Sequence, residues 1–103
     1  MARKTVAIEM DKVRNLSFGT NAMIELEERL EKPLTELDEA MGYKELRTIF
    51  YVGLKWEDKK LTMEDVGDLM DIVIGDKGIE YLSETMAKAM ELAFGGNAMP
   101  TDK

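Results

Sequence analysis

Leu46, Ile49, Phe50, Gly53 and Leu54 recur at the i, i+3, i+4, i+7, i+8 spacing that lays residues along one face of an α-helix. A stripe this apolar has to be covered, and a chain of 103 residues has room for one core to cover it. Residues 43–56 are therefore expected to form the central helix, with the other elements packed around it. Shorter stripes supply those elements. Met23, Leu26 and Leu30 mark a helix over 21–32, where Glu25 with Arg29 and Glu28 with Lys32 stand four apart, acid before base. Leu34, Leu37 and Met41 mark a short helix closed by Gly42, and Pro33 either interrupts the preceding helix or begins this one. Val66, Leu69, Met70 and Val73 line a helix opened by Thr62-Met63-Glu64-Asp65, a start that resembles a capping box. Ile79, Leu82, Met86, Met90 and Ala93 face inward from a last helix, Ile79 to Phe94, stopped by Gly95-Gly96.

The N-terminus reads differently. Residues 4–9 and 13–18 suggest two strands, with Val6 and Ile8 on one face and a turn at Met10-Asp11-Lys12. Two strands alone are marginal, so the hairpin must rest on the helices. Gly19-Thr20-Asn21 punctuates the chain, and Thr20 or Asn21 is expected to cap the helix that follows. Gly75-Asp76-Lys77-Gly78 is expected to turn. The fold class expected is mainly α: a compact bundle of four to five short helices preceded by a small N-terminal β-hairpin. Residues 1–94 form one domain in this reading, and residues 95–103 a flexible C-terminal tail.

Composition narrows the chemistry. With 21 acidic and 14 basic residues the formal net charge is −7, a field that repels phosphate backbones and anionic membranes. Neither nucleic acid nor membrane is expected as a partner. The run after Met1 is too short for a signal peptide, and no stretch reaches the roughly 20 apolar residues of a membrane span. With no cysteine the chain has no disulfide and no thiolate metal site, which fits a reducing cytoplasm. With no histidine it lacks the commonest general base and the commonest transition-metal ligand. No phosphate-binding glycine loop occurs. Glu64, Asp65, Asp68 and Asp71 lie together on one expected helix, where they offer oxygens to a divalent cation or simply form a solvated face. The solvated face is the reading adopted: no cofactor, no metal, not an enzyme.

What remains is a surface for other proteins. Nine methionines are present, and Met63, Met70, Met86 and Met90 fall on the last two helices. Thioether side chains suit surfaces that fit several partner geometries, and equally fill gaps in a small core. Tyr51 and Trp56 stand just off the central stripe, where aromatics with a polar handle serve as interface anchors or as core edges. Tyr81 and Phe94 complete the candidate protein-interaction set: Tyr51, Trp56, Met63, Met70, Tyr81, Met86, Met90 and Phe94.

Two segments carry a resemblance. The first is Leu16-Ser-Phe18-Gly-Thr-Asn21-Ala22-Met-Ile-Glu25-Leu26-Glu27-Glu28, continuing to Lys32-Pro33-Leu34. The second is Leu46-Arg47-Thr-Ile-Phe-Tyr51-Val-Gly53-Leu54, then Glu57-Asp58, then Leu61-Thr62-Met-Glu64-Asp65-Val66-Gly67-Asp-Leu69. In their order and spacing they resemble the tail assembly chaperones of long-tailed, siphovirus-type bacteriophages and of prophages of Gram-positive bacteria. Glu31 departs from that pattern, since relatives often carry a glycine before the equivalent of Lys32. The resemblance implies a protein of the bacterial host cytoplasm that binds the tape measure protein and the major tail tube protein during virion morphogenesis. It also implies self-association into oligomers along the tape measure, and absence from the mature virion. The alternative is a generic acidic helical adaptor or regulatory module that binds proteins without a phage role. An acidic DNA mimic fits less well, because lysines and arginines interrupt the acids.

Overall fold

A computed structural model of the chain describes residues 5–31 and 42–93. The element order is β1 (Val6–Glu9), β2 (Val13–Leu16), α1 (Thr20–Leu30), α2 (Tyr43–Leu54), α3 (Met63–Lys77) and α4 (Ile79–Ala93). The chain is thus mainly helical, with an N-terminal antiparallel hairpin, and among the described residues it has four helices. The short helix expected over Leu34–Met41 and the tail expected after Gly95 lie outside the described residues, as does Phe94.

α2 is the centre. All five residues of its predicted stripe are buried, and Thr48 and Val52 are buried as well. The extra burial arises because α1, α3 and β2 all pack on this one helix. Thr48 meets the demand for a buried hydroxyl partner by donating back to the Lys44 carbonyl at 3.0 Å. Gly42 is the N-cap of α2, and Glu45 reaches back to accept from its N–H at 3.0 Å. The helix ends at Leu54, two residues before the predicted end, where Glu57 N–H turns in to the Leu54 carbonyl.

In the hairpin, Val6 pairs with Leu16 and Ile8 with Arg14. Ile8, Arg14 and Leu16 are buried on the side facing the helices, while Val13 is exposed. β2 stops at Leu16, short of the predicted Phe18, because the next N–H leaves the ladder: Ser17 donates to the Gly53 carbonyl at 3.0 Å. That bond brings the chain onto α2 so closely that a Cβ at Gly53 would stand 2.5 Å from Phe18 Cζ and 2.9 Å from Leu16 Cδ2. Only glycine fits.

Three local expectations are corrected. Neither Thr20 nor Asn21 caps α1, since both are already helical; Gly19 occupies the N-cap and no side chain closes it. The turn predicted over Gly75–Gly78 shrinks to Gly78, whose φ of 89° breaks the backbone after α3 has run on through Lys77. A glycine inside a helix costs roughly 1 kcal/mol, which burial of Val73 and packing of Ile74 on the core outweigh. On α4, Thr85 and Ala89 join Leu82 and Met90 in the interior, whereas Ile79, Met86 and Ala93 only border it. The Thr62–Asp65 capping box forms as predicted: Asp65 N–H donates to Thr62 Oγ1 at 3.1 Å, and Thr62 N–H to Asp65 Oδ2 at 3.0 Å.

Two substitutions test this arrangement. Gly53→Ala is expected to lower unfolding free energy by about 1–3 kcal/mol through overpacking; a loss under about 0.5 kcal/mol in chemical denaturation would show that the contact is loose. Glu31 closes α1 in the left-handed region, at φ 61° and ψ 35°, a conformation in which glycine is the unstrained residue. Glu31→Gly is therefore expected to raise stability by up to about 1 kcal/mol, and a lowered midpoint would contradict it.

Candidate protein-interaction surface

A groove of about 580 Å³ opens between the start of α1 and the end of α2, and Asn21, Tyr51 and Trp56 all line it. The geometry follows from the Gly53 contact, which holds residues 17–21 alongside the last turns of α2. Tyr51 is half-buried beneath two cations: the Arg29 guanidinium lies 5.0 Å and Lys55 Nζ 5.3 Å from its ring centroid. Both cations also donate to Glu25 Oε2, Arg29 Nε at 2.8 Å and Lys55 Nζ at 2.7 Å, so one carboxylate ties α1 to α2. Partial burial alone would raise the Glu25 pKa. The hydrogen bonds from Lys55 and Arg29 outweigh it and hold the carboxyl below its ordinary value.

Trp56 forms the far wall. Its Nε1 donates to the Asn15 carbonyl at 2.9 Å, and Glu57 accepts from the Asn15 backbone and side-chain amides at 3.1 and 3.0 Å. Behind this wall Arg14 is buried between two carboxylates, paired bidentately with Asp11 at 2.8 and 3.0 Å and with Asp58 at 3.4 Å. The hydrogen bond from Arg14 is the main reason that Asp11 titrates below its usual range.

The other candidate residues scatter. Met70 and Met90 belong to the core, at 4% and 5% exposure. Met63 is half-buried on α3, and Met86 is half-buried against the core. Tyr81 is committed within the chain, its hydroxyl accepting from Glu9 N–H at 3.2 Å while Lys77 Nζ sits 5.5 Å from its ring. Phe94 lies outside the described residues. The groove therefore unites two of the eight, together with Ser17, Lys55 and Lys59, which periodicity did not single out. A second groove, about 680 Å³, runs between α2 and α3, with the exposed Tyr43 at its edge and part of Met70 at its floor.

Glu64, Asp65, Asp68 and Asp71 are all exposed on α3. Among the described residues no cluster of three or more acidic side chains is arranged to hold a metal ion, and no helix is long and apolar enough to cross a membrane. Comparison of the chain with protein-family models, with curated proteins and with solved structures finds no match.

The Glu25 bridge makes a pH prediction. Because its folded pKa lies below its ordinary 4.5, its stabilisation is complete above that value and is lost as pH falls through the folded pKa. Glu25→Gln is expected to lose about 0.5–1 kcal/mol near neutral pH. The gap between the two proteins should narrow as thermal denaturation is repeated at successively lower pH below 4.5; a gap that stays constant with pH would show that Glu25 acts only by shape.

Proposed function

We propose that this chain is a tail assembly chaperone of a long-tailed bacteriophage or prophage. It acts in the host cytoplasm, binds the tape measure protein and the tail tube protein while the tail is built, and does not enter the finished particle. One observation carries the reading: the segments behind the resemblance are each other's neighbours. Leu16 and Phe18 close on Gly53, Glu25 bonds Lys55, and Asn21 and Tyr51 share one groove. That the residues behind the resemblance gather at one contact and around one groove supports the reading. The chemistry is compatible with it, since a chain without histidine or cysteine is poorly equipped for bond-making.

A tape measure is a long helical protein with extended apolar faces, and such faces are covered by helices that offer grooves. Many copies are needed along one rod, so self-association belongs to the reading. A net charge of −7 keeps free copies soluble until they are used.

The test is co-expression with the tape measure protein encoded beside this chain's gene. The expected result is a soluble tape measure that co-purifies with this chain, weakened by Tyr51→Ala. Recovery of an insoluble tape measure with no complex, or a gene lying outside any tail-gene cluster, would leave the generic adaptor reading in its place.

A further inference from the structure

We propose that the groove between the start of α1 and the end of α2 is a carboxylate-binding site, taking an acidic side chain presented by an apolar stretch of a protein partner. The first observation is an open helix end. The N–H groups of Thr20, Asn21 and Ala22 have no acceptor inside α1, the Gly19 N-cap contributes no side-chain bond, and the first turn holds no acid. α2 also begins at a glycine without a side-chain cap, but carries Glu45 in its first turn, while in α3 the Thr62 hydroxyl accepts from Asp65 N–H. The open end carries roughly half a positive charge directed at whatever occupies the groove.

The second observation is independent of the helix. Ser17 is 5% exposed and lines the same groove. Its backbone N–H is spent on Gly53, and its hydroxyl has no hydrogen-bond partner among the described residues. It is not sealed off from the groove, since no fully buried side-chain polar atom lacks a partner. The hydroxyl keeps access to the groove, where a carboxylate from outside can take the place of water as its acceptor.

Charge and size select the ligand. Among the charged residues lining the groove, Lys55 and Lys59 stand against Glu25, a local positive excess on a chain of net charge −7. Lys59 has no ion-pair partner among the described residues. The excess is modest and Glu25 faces the groove, so one carboxylate suits it better than a doubly charged phosphate. About 580 Å³ is far more than a lone ion fills, and Tyr51, Val52 and Trp56 provide apolar walls for the residues flanking the acid. The assignment states the chemistry of the groove's occupant and does not depend on a role in tail assembly.

Trp56 is the only tryptophan in the chain, so its fluorescence reports on this groove directly. The full chain is titrated with acetyl-Leu-Asp-Leu-Phe-amide, with the same peptide carrying Asn for Asp, and with inorganic phosphate. Backbone amide shifts are followed by NMR. The aspartyl peptide is expected to give a saturable fluorescence change with its largest shifts at Thr20, Asn21 and Ala22, and the asparaginyl peptide to bind about tenfold more weakly. Ser17→Ala and Lys59→Gln are each expected to weaken the aspartyl peptide several-fold with circular dichroism unchanged, while Lys44→Gln, in the other groove, leaves it unaltered. Equal binding of the two peptides would reduce the site to an apolar groove, and phosphate bound in preference to either would make it a small-anion site. Either result, or the absence of any saturable change, overturns the proposal.

Discussion

The chain leaving β2 lies against the last turn of α2, so close that a Cβ at position 53 would run into the Leu16 and Phe18 side chains. Gly53 makes that approach possible, and three features follow from it. Ser17 can donate to the Gly53 carbonyl, which ends the β-ladder and commits the chain to the helical layer. Leu16 and Phe18 are laid over α2, adding two buried side chains to the core it organises. The next residues, Gly19 to Ala22, are delivered beside Tyr51 and Lys55, and the space left between them is the groove. Core and groove are thus two sides of one backbone contact.

Around that contact the charges are divided unevenly. Several cations are used to join elements: Arg14 ties the hairpin to the turn after α2, Arg29 and Lys55 tie α1 to α2 through Glu25, and Lys77 reaches Glu9 on β1. The buried Arg14 needs its carboxylates, since a lone charge in that position would be strongly unfavourable. With these cations engaged, the acids of α3 are left facing solvent. Net charge alone describes the molecule poorly. One face is acidic and open, and the groove is mixed, with aromatic walls.

Much of this was legible in residue spacing. The α2 stripe, the Thr62–Asp65 box and the hairpin all depend on near neighbours in sequence, and a 3.6 or 2.0 period expresses them directly. Features that depend on distant neighbours were not legible. Gly75 reads as a turn residue, yet its helix is carried through by Val73 and Ile74 on a core that no local window contains. Periodicity already sets Met70 and Met90 on the inward stripes of α3 and α4, and both are buried; the softness of a thioether, which also suits docking, carries no such positional signal. The groove combines Ser17 with Lys55 and Lys59, and only the tertiary approach at Gly53 explains why those residues meet. Thr20 and Asn21 read as caps and instead line the groove, because Gly19 takes the N-cap position.

The hairpin's fastenings carry a consequence for the order in which the molecule is assembled. Each runs far along the chain: Asn15 to Trp56 and Glu57, Arg14 to Asp58, Glu9 to Tyr81. Two four-residue strands have little reason to pair alone, and the bonds that fasten them to the helices close long loops. The hairpin is therefore held in place by residues far along the chain. Its ordering depends on helices made dozens of residues later.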